Sequence, residues 1–498
     1  MADLILDQRR SDLPDAVAAV VSSVHPQLYI GGEWRDSSDG ETIAVIDPST
    51  GKPMVSVASA AVADAEAAVS AAEAALVGWR RTAPRARANI LRAAFDLMIE
   101  RQDQLALLIS AENGKALPDS RAEVAYAAEF FRWFSEEAVR LAGALQVAPS
   151  GDYRIIVERE PIGVAALVTP WNYPAAMATR KIGPALAAGC TVVLKPATDT
   201  PLTALALGAL LTEAGLPAGV VNVLPAHRSG AVVGALLSHS SVRKVSFTGS
   251  TEVGIKLLHA AADRVLSPSM ELGGNAPFMV LEDADVPQAI AGAMLAKMRN
   301  GGEACTAANR FYVHEAVADE FVDGFAAAMS ALRVGPGYEE GVMLGPLVNL
   351  DAQRKVHELV TDAVERGAAL VTGGGPAERD GFYYPPTVLD RVPADAEMVR
   401  DEIFGPVAPV IRFTQIDDAI AAANRTDYGL VSYVYTENLA KGLQVAEALE
   451  TGMVGLNRGL VSDPSAPFGG VKLSGLGREG GHEGMLEYTE TKYIATSW

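Results

Sequence analysis

The sequence is poor in cysteine, in basic residues and in long apolar runs. Only two of its 498 residues are cysteines, Cys190 and Cys305, so no disulfide framework can hold the fold, which fits a reducing compartment. Its 41 lysines and arginines face 61 aspartates and glutamates, and the net charge of −20 argues against nucleic acid as a partner. No stretch approaches the ~18 to 20 uncharged apolar residues of a membrane span. We therefore expect a cytoplasmic protein with neither a nucleic-acid nor a membrane partner.

Neither a metal site nor an N-terminal export signal is expected. The seven histidines show no metal-ligand spacing, so no metal site is predicted. Near the N-terminus, Arg9 and Arg10 precede the apolar run 16–21 in an arrangement similar to a twin-arginine export signal. Acidic residues interrupt this arrangement and no small-residue cleavage site follows it. We interpret residues 1–27 as a loosely attached leader and not as a signal.

What the chain does have is length and alternating strands and helices. A chain of 498 residues exceeds one ordinary core, so two or three domains of the α/β class are expected. Short strands and Ala-rich helices fill the region from 28 to 141, without an obvious cluster of chemical groups. Between 164 and 262, short apolar runs alternate with amphipathic helices. Repeated βα units predict a parallel sheet with helices on both faces.

Polar residues follow three of the predicted strands where each strand ends. They are Thr169 to Asn172, Lys195 to Thr198 and Thr248 to Thr251, and the last group opens a helix. Ligands of parallel sheets bind beyond these carboxyl ends. A Gly-Ser turn at a helix N-terminus presents free N–H groups to a phosphate, and a lysine on a nearby strand can bind a ribose. Together these residues predict a dinucleotide site.

Two Gly-rich turns on either side of one amphipathic helix carry the candidate reactive groups. Glu271 lies just before the first Gly-Gly pair, and Cys305 lies just after the second. A carboxylate is a candidate base and a thiol a candidate nucleophile. Small neighbours allow a substrate to approach the backbone closely. The alternative is an inert buried cysteine and a surface glutamate.

The C-terminal region contains one motif that we interpret differently from its literal match. Residues 475–480 match G-x-G-x-x-G, but no clear strand precedes them and 18 residues follow. A βαβ unit of ~30 residues cannot be completed there. We interpret the motif as a Gly-rich loop. Residues 486–497 predict a strand without an assigned partner, for which an oligomer edge is one possibility.

Taken together, these motifs resemble the aldehyde dehydrogenase superfamily over nearly the whole chain. In chain order they are Thr169-Pro170-Trp171-Asn172, Lys195-Pro196, Phe247-Thr248-Gly249-Ser250, Glu271-Leu272-Gly273-Gly274, Cys305, Glu402-Ile403-Phe404-Gly405-Pro406 and Pro467-Phe468-Gly469-Gly470. The resemblance implies an α/β fold with a Rossmann-like NAD(P)-binding domain over 28–143 and 162–271. It also implies a catalytic domain over 272–475 and a β oligomerisation arm over 144–161 and 476–498, in a homodimer or homotetramer.

The same resemblance implies roles for individual residues. Cys305 would attack the aldehyde, Asn172 would hold the oxyanion, and Glu271 would activate water to hydrolyse the thioester. The residues implied in cofactor binding are Trp171, Lys195, Pro196, Ala197, Thr198, Gly249, Ser250, Leu272, Glu402 and Phe404. Cys190 is expected to be a buried structural thiol.

Three positions resemble the succinate-semialdehyde dehydrogenases within this family. They are Arg180, Arg299 and Ser462, which would form an anion clamp for the far carboxylate of a short semialdehyde. The alternative is that both arginines form structural salt bridges in a general aldehyde dehydrogenase. Glutarate semialdehyde, one methylene longer, would be discriminated only weakly. The resemblance implies a place in 4-aminobutyrate degradation.

Two positions depart from related sequences. Some succinate-semialdehyde dehydrogenases have a second cysteine two residues after the nucleophile, where this chain has Ala307, so a disulfide switch is not possible here. Many NAD-using relatives have a glutamate where this chain has Thr198. A neutral threonine that can donate a hydrogen bond favours NADP over NAD, although the neighbouring Asp199 could oppose the extra phosphate.

Two other function classes remain possible from the sequence. A CoA-acylating member of the fold would transfer the acyl group to CoA instead of water, but such enzymes lack the base, and this chain has Glu271. A binding protein without turnover would not need Cys305, Asn172, Glu271 and Glu402 together. Aldehyde oxidation is therefore the favoured prediction.

Overall fold

The structure, a computed structural model, describes residues 13–498. Its helices are α1 (Asp15–Ser23), α2 (Val62–Trp79), α3 (Pro84–Glu100), α4 (Gln102–Asn113), α5 (Leu117–Glu137), α6 (Pro174–Ala188), α7 (Leu202–Glu213), α8 (Ser229–Ser238), α9 (Thr251–Ala262), α10 (Val286–Met298), α11 (Glu315–Ser330), α12 (Leu350–Glu365), α13 (Glu397–Arg400), α14 (Ile416–Asn424), α15 (Leu439–Ala448) and α16 (Glu483–Leu486), with a 3₁₀ turn at Arg299–Gly302. Its strands are β1 (Leu28–Ile30), β2 (Glu33–Arg35), β3 (Thr42–Asp47), β4 (Lys52–Ala58), β5 (Ala144–Val147), β6 (Arg154–Pro161), β7 (Val164–Val168), β8 (Thr191–Lys195), β9 (Val221–Val223), β10 (Val242–Thr248), β11 (Ser267–Glu271), β12 (Ala276–Val280), β13 (Ala308–His314), β14 (Ala369–Thr372), β15 (Thr387–Asp390), β16 (Val407–Phe413), β17 (Tyr428–Gly429), β18 (Val431–Tyr435), β19 (Met453–Leu456), β20 (Val471–Lys472), β21 (Gly475–Leu476) and β22 (Thr489–Thr496).

The predicted parallel sheet is the centre of an eight-stranded sheet. Its order is β2-β1-β9-β8-β7-β10-β11-β21, and the five strands from β9 to β11 are parallel. Side chains of β7 alternate between two hydrophobic cores, with Ala165 and Leu167 on one face and Val164 and Ala166 on the other. A strand that buries both faces reads as a continuous apolar run, which is how β7 appears in the sequence. The α/β prediction is confirmed.

A second sheet of seven strands carries the rest of the chain's core. Its order is β14-β15-β16-β13-β12-β18-β19, with all pairs parallel except β14 with β15. It lies within the range 272–475 that was predicted for a catalytic domain. The nucleophile candidate Cys305 lies between α10 and the start of β13, which is the central strand of this sheet. It lines a cleft together with residues that follow strands of the eight-stranded sheet.

The C-terminal strand has a partner inside the chain. β22 pairs antiparallel with β6 over their whole length, from Thr489 opposite Pro161 to Thr496 opposite Arg154, and β5 covers the other edge of β6. This three-stranded sheet occupies the ranges predicted for an oligomerisation arm. Leu145 and Val147 of β5 and Tyr493 of β22 are exposed on it.

Residues 15–23 do not form the loosely attached leader that was predicted for residues 1–27. They form α1, whose Val17 and Val21 are buried in the same core as α4 and α5. Within the apolar run 16–21, Val17 and Val21 thus form the buried face of a short helix, while Ala16 and Ala19 are exposed. The Arg9-Arg10 pair lies outside the described residues. Across residues 13–498, every helix is too short or too polar to cross a membrane.

The G-x-G-x-x-G stretch is only partly the loop that was predicted. Gly475 and Leu476 form β21, which pairs antiparallel with β11 at the edge of the eight-stranded sheet. Gly475 has φ +140°, and a Cβ there would lie 1.9 Å from the Met270 carbonyl oxygen. Only glycine allows this close backbone approach. The motif therefore serves chain packing beside Glu271 rather than a phosphate.

Candidate active site

A cleft of about 400 Å³ lies at the carboxyl ends of the eight-stranded sheet, between the two large sheets. Its walls contain Tyr126, Pro170, Trp171, Asn172, Tyr173, Met177, Arg180, Thr248, Gly249, Ser250, Leu272, Gly273, Arg299, Ala304, Cys305, Thr306, Val348, Asn349, Asp351, Ala352, Lys355, Glu402, Ile403, Phe404, Ser462 and Phe468. Cys305 lies between two ends of this cleft. We call the part around Ser250, Glu402 and Phe404 the cofactor end, and the part around Arg180, Arg299 and Ser462 the substrate end.

The cofactor end is built from turns that follow strands. Ser250 caps the N-terminus of the twelve-residue helix α9, accepting a hydrogen bond from the Val253 N–H at 3.4 Å. Such a helix N-terminus binds phosphate through free N–H groups and its dipole. A Cβ at Gly273 would lie 3.1 Å from Tyr428 and 3.5 Å from Glu402 Oε2, so a side chain there would fill this end. These features fit the dinucleotide that was predicted.

Glu402 faces the cofactor end with one carboxylate oxygen uncommitted. Its Oε1 accepts the Gly274 N–H at 3.3 Å. Burial raises the pKa of Glu402 to about 7, against the lowering effect of Lys355 and Lys297. Phe404 packs edge-on against Trp171 at 5.4 Å between ring centroids. Its backbone is left-handed with φ 58°, which is strained for an aromatic residue and fixes the ring at the mouth of the cleft.

The residues predicted around the adenosine ribose do not line the cleft. Lys195, Pro196 and Ala197 are buried, and burial lowers the pKa of Lys195 to about 8 although Asp199 opposes this. The Thr198 hydroxyl donates its hydrogen to the Ala226 carbonyl at 3.1 Å. Thr198 could donate to a phosphate only by giving up this hydrogen bond, because its hydroxyl has a single hydrogen, so its role towards a phosphate stays a prediction.

Cys305 follows a left-handed backbone segment. Asn300, Gly301 and Gly302 have φ of 53°, 59° and 81°, which reverses the chain after α10. A Cβ at Gly302 would lie 2.2 Å from the Gly405 carbonyl oxygen, so only glycine fits. Cys305 is partly exposed, at the junction of the two ends.

The thiol of Cys305 is protonated near neutral pH when the cleft holds no ligand. Burial raises the pKa of Cys305 to about 12. The guanidinium groups of Arg180 and Arg299 oppose this rise, whereas the carboxyl groups of Glu402 and Glu271 add to it. The thiolate form that attacks carbonyl groups thus needs a base to remove its proton.

Asn172 lines the same cleft as Cys305, and a hydrogen bond fixes its side-chain amide. Its Nδ2 donates to the Glu303 carbonyl at 3.0 Å, which leaves one amide hydrogen available. Its own backbone carbonyl accepts hydrogen bonds from Asn300 Nδ2 at 2.9 Å and from Lys115 Nζ at 2.6 Å. An amide hydrogen fixed beside a thiol can stabilise an oxyanion that forms there.

Lys115 and Glu123 support this loop and were missed in the sequence. They form a fully buried ion pair at 2.5 Å, and Glu123 also accepts the Ala175 N–H at 2.8 Å at the start of α6. Both residues come from the region between 28 and 141, where no chemical cluster was predicted. An isolated lysine and a helical glutamate carry no signal, since their burial depends on α5 packing against α6.

Glu271 lies at the end of β11, next to the wall residue Leu272. It is 3% exposed, and its Oε1 lies 3.0 Å from the position of a Cβ on Gly469. Burial and the nearby charge of Glu479 raise the pKa of Glu271 well above its usual range, although Arg180 and Lys181 oppose the rise. A carboxyl group with a raised pKa can accept and release a proton near neutral pH.

Glu479 is a second residue that the sequence did not reveal. Its carboxylate lies 2.5 Å from Arg180 Nε and also pairs with Lys181. Burial would raise the pKa of Glu479, but the two cations keep it below its usual range. Arg180 also lies over the Phe468 ring at 4.3 Å. The alternative that Arg180 forms a structural salt bridge is thus realised, although Arg180 also lines the cleft.

Arg299 and Ser462 complete the substrate end. Arg299 donates from Nη2 to Thr306 Oγ1 at 3.3 Å and lies over the Tyr173 ring at 5.7 Å. Among residues 13–498, no carboxylate lies within 4 Å of its guanidinium. Ser462 lines the cleft beside it. Cys190, in contrast, is buried, and its thiol donates to the Tyr488 carbonyl at 3.2 Å outside this cleft, in agreement with a structural thiol.

Comparisons with known proteins identify the family. A model of the aldehyde dehydrogenase family matches residues 34–494. Succinate-semialdehyde dehydrogenase of Paenarthrobacter nicotinovorans is 56% identical over 89% of this chain and 98% of its own length. Glutarate-semialdehyde dehydrogenase of Pseudomonas aeruginosa is 50% identical over 94% of this chain and 97% of its own. A crystal structure of an NADP-dependent enzyme from E. coli, 48% identical, superimposes with a TM-score of 0.94 over 95% of this chain and 98% of that one. The chain therefore belongs to the aldehyde dehydrogenase family, whose members oxidise aldehydes with NAD(P).

Proposed function

We propose that this protein oxidises succinate semialdehyde to succinate through a covalent intermediate on Cys305. The observation that carries the proposal is the presence of Arg180, Arg299 and Ser462 in the same cleft as the thiol. A guanidinium binds a carboxylate through two parallel hydrogen bonds, and a hydroxyl can add a third. The 56% identical relative bears the name of this activity.

The charge balance of the substrate end supports an anionic substrate. Glu479 is one carboxylate shared between two cations, Arg180 and Lys181. Arg299 adds a further positive charge. Burial and the nearby charge of Glu479 raise the pKa of Glu271, which favours the neutral form of this carboxyl group. The substrate end is thus net positive within an acidic protein, which favours a substrate with a carboxylate remote from the aldehyde.

The first part of the mechanism uses Cys305 and Asn172. The thiol gives its proton to water in the cleft, and its sulfur attacks the aldehyde carbon, which forms a thiohemiacetal. The remaining amide hydrogen of Asn172 stabilises the oxyanion. A bound nicotinamide cofactor would supply the hydride acceptor for this carbon. Glu402 and Ser250 would hold the ribose and the pyrophosphate, while Cys305 retains the acyl group as a thioester.

Glu271 completes the reaction as the general base. It takes a proton from water, the hydroxide attacks the thioester, and the carboxylate product leaves as the Cys305 sulfur regains a proton. A carboxyl pKa raised towards neutrality suits this role. The presence of this base also argues against a CoA-acylating enzyme and against a binding protein without turnover.

NADP is the proposed cofactor, with NAD as the alternative. A neutral Thr198 removes the carboxylate that would repel a 2′-phosphate, even though its hydroxyl hydrogen is committed to Ala226. The E. coli structure is described as an NADP-dependent enzyme. Asp199, held by Asn349 at 3.2 Å, is the charge that opposes this choice.

A cytoplasmic homodimer or homotetramer is the proposed assembly. Members of the family are typically oligomeric. Leu145, Val147 and Tyr493 expose apolar surface on the sheet formed by β5, β6 and β22, which supports its role as an oligomerisation arm. We propose the division into cofactor domain, catalytic domain and arm in the ranges predicted above. Both cysteines are free, which fits a reducing compartment.

The deciding experiment compares succinate semialdehyde with butanal, each with NADP and with NAD. Charge-assisted hydrogen bonds contribute ~1.5 to 3 kcal/mol each, so a working clamp favours the semialdehyde by at least ~10²-fold in kcat/KM. Equal values would show that both arginines are structural. The ratio between the cofactors tests NADP, and Thr198→Glu should shift that ratio towards NAD.

Glutarate semialdehyde is the second candidate substrate, because a relative 50% identical bears its name. The two semialdehydes differ by one methylene, which changes binding by only ~1 to 3 kcal/mol. Measured side by side, a higher kcat/KM for the five-carbon substrate would replace the proposed substrate while leaving the clamp in place.

A further inference from the structure

We propose that Glu303 is a positioning residue whose side chain holds the nucleophile's loop against the cofactor end of the cleft. This inference rests on the proposed oxidation through Cys305. Glu303 lies two residues before the nucleophile and is 2% exposed. Its Oε1 accepts the N–H of Val348 at 3.2 Å. Val348 is itself buried, so this contact joins two segments away from solvent.

The partner segment forms a wall of the cofactor end. Val348 and Asn349 both line the cleft. Asn349 caps α12 by accepting the Ala352 N–H at 2.9 Å, and it donates to Asp199 at 3.2 Å. The first turn of α12 also lines the cleft. The hydrogen bond that the Val348 N–H donates to Glu303 therefore connects the Cys305 loop to this wall.

The backbone of Glu303 serves the other side of the reaction. Its carbonyl oxygen accepts hydrogen bonds from Asn172 Nδ2 and Asn300 Nδ2, both at 3.0 Å. These contacts need no side chain at position 303. Removing the carboxyl group should thus leave the oxyanion donor in place. It should disturb only the alignment of the thiol with the cofactor. The two functions of Glu303 are separable by mutation.

The carboxyl group acts here as a neutral acceptor. Burial raises the pKa of Glu303 to about 8; the charge of Lys115 opposes this rise and that of Asp199 adds to it. Protonated carboxyl and glutamine side chains have nearly the same shape, and both carry a carbonyl acceptor. Glutamine at 303 should therefore preserve the contact at pH 7, whereas methionine fills similar space without a strong acceptor.

The experiment measures two reactions of the same thiol in Glu303→Gln and Glu303→Met. Aldehyde oxidation, with the aldehyde and cofactor that the wild type uses best, requires alignment of thiol and cofactor. Hydrolysis of 4-nitrophenyl acetate without cofactor requires Cys305, its oxyanion donor and the base Glu271, but no alignment of the thiol with a cofactor. An unpaired buried N–H costs ~1 to 3 kcal/mol. In Glu303→Met, kcat for oxidation should therefore fall by ~10-fold or more, with ester hydrolysis within ~threefold of the wild type. Glu303→Gln should keep both.

A buried glutamate that does not line the cleft supplies the matched control. Glu112 accepts the N–H groups of Leu202 and Thr203 at 2.7 and 2.9 Å and is 1% exposed. Glu112→Met should lower stability without separating the two reactions. Should Glu303→Met fail to fold, Glu303→Ala provides the same comparison.

Three results would overturn the role of Glu303. They are a parallel fall of both reactions in Glu303→Met, full oxidation in that variant, and a fall in Glu303→Gln as large as that in Glu303→Met. A failure of the proposed substrate is distinguishable, because it changes which aldehyde the wild type prefers and not the ratio between variants.

Discussion

The two ends of the cleft are built in different ways. The cofactor end consists largely of backbone turns, with Ser250 at a helix N-terminus and Gly273 where a side chain would fill the space. The substrate end consists of buried charges that hold one another, with Glu479 between Arg180 and Lys181. Backbone N–H groups keep their positions when a neighbouring side chain is replaced. A buried ion that loses its partner, in contrast, costs free energy because its charge is no longer balanced. The substrate end should therefore be far less tolerant of substitution than the cofactor end.

The largest effect should come from Glu271, the proposed general base. Its raised pKa leaves it protonated at low pH, so the steady-state rate should rise with pH as the carboxylate forms. Glu271→Gln should remove this dependence and lower the steady-state rate by ~10² to 10⁴-fold, the usual contribution of a general base. Rapid mixing should still detect a first burst of reduced cofactor, because hydride transfer precedes hydrolysis. An unchanged steady-state rate would mean that another group serves as the base.

The second effect tests the buried ions of the substrate end. Glu479→Gln leaves Arg180 and Lys181 without their shared carboxylate, and breaking a buried pair costs ~3 to 5 kcal/mol of unfolding free energy. Chemical denaturation measures this loss. The same substitution should also shift the limb of the pH-rate profile that belongs to Glu271 to lower pH, because Glu479 raises the pKa of Glu271.

The control for this variant is a salt bridge at the surface. Glu340 pairs with Arg121 at 3.1 Å, but its side chain is 78% exposed. Glu340→Gln should leave the unfolding free energy nearly unchanged, because water and salt screen such pairs. A similar loss in both variants would contradict the contrast between buried and exposed charges.

The third effect concerns Arg299, whose guanidinium has no carboxylate within 4 Å among residues 13–498. Arg299→Met should lower kcat/KM for succinate semialdehyde by ~10 to 10²-fold and leave that for butanal within ~threefold, since one charge-assisted contact is lost. Arg180→Met should combine this loss with lower stability, because Glu479 then loses one partner. Equal falls for both aldehydes in Arg299→Met would make this arginine structural.

The smallest effect should come from the cofactor end. Ser250→Ala removes the cap of α9 but leaves its N–H groups, so KM for the cofactor should rise only a few-fold, from a loss of ~1 kcal/mol. Asn438, which caps α15 away from the cleft, is the matched control. Asn438→Ala should cost similar stability without changing KM. A ten-fold or larger rise in KM for Ser250→Ala would show that its side chain, and not the backbone, binds the cofactor.

The cofactor end and the central sheet were the more predictable parts of the molecule. The alternation of strands and helices that was predicted between 164 and 262 is present, because apolar runs and helix-starting residues, as in α6 and α9, are local signals. The roles of Asn172, Cys305 and Ser250 could be predicted because each lies in a short motif of consecutive residues.

The substrate end was only half predictable for a physical reason. Arg180, Arg299 and Ser462 were identified by resemblance, but Glu479 was hidden in a G-x-G-x-x-G match that was dismissed as a loop. Its contact with Lys181 spans 298 residues of sequence. Burial and pairing at that distance leave no periodic pattern, so only the folded structure brings the carboxylate to the arginine.

The left-handed turn before Cys305 also limits how the protein can be redesigned. A library that varies residues 300 to 304 to alter reactivity should recover only glycine at 302, since a Cβ there overlaps the Gly405 carbonyl. Position 301 is less constrained, with Leu344 Cδ1 at 3.1 Å as the nearest atom, although its φ of 59° still disfavours branched residues. Diversity for a new catalyst is therefore better placed outside this turn.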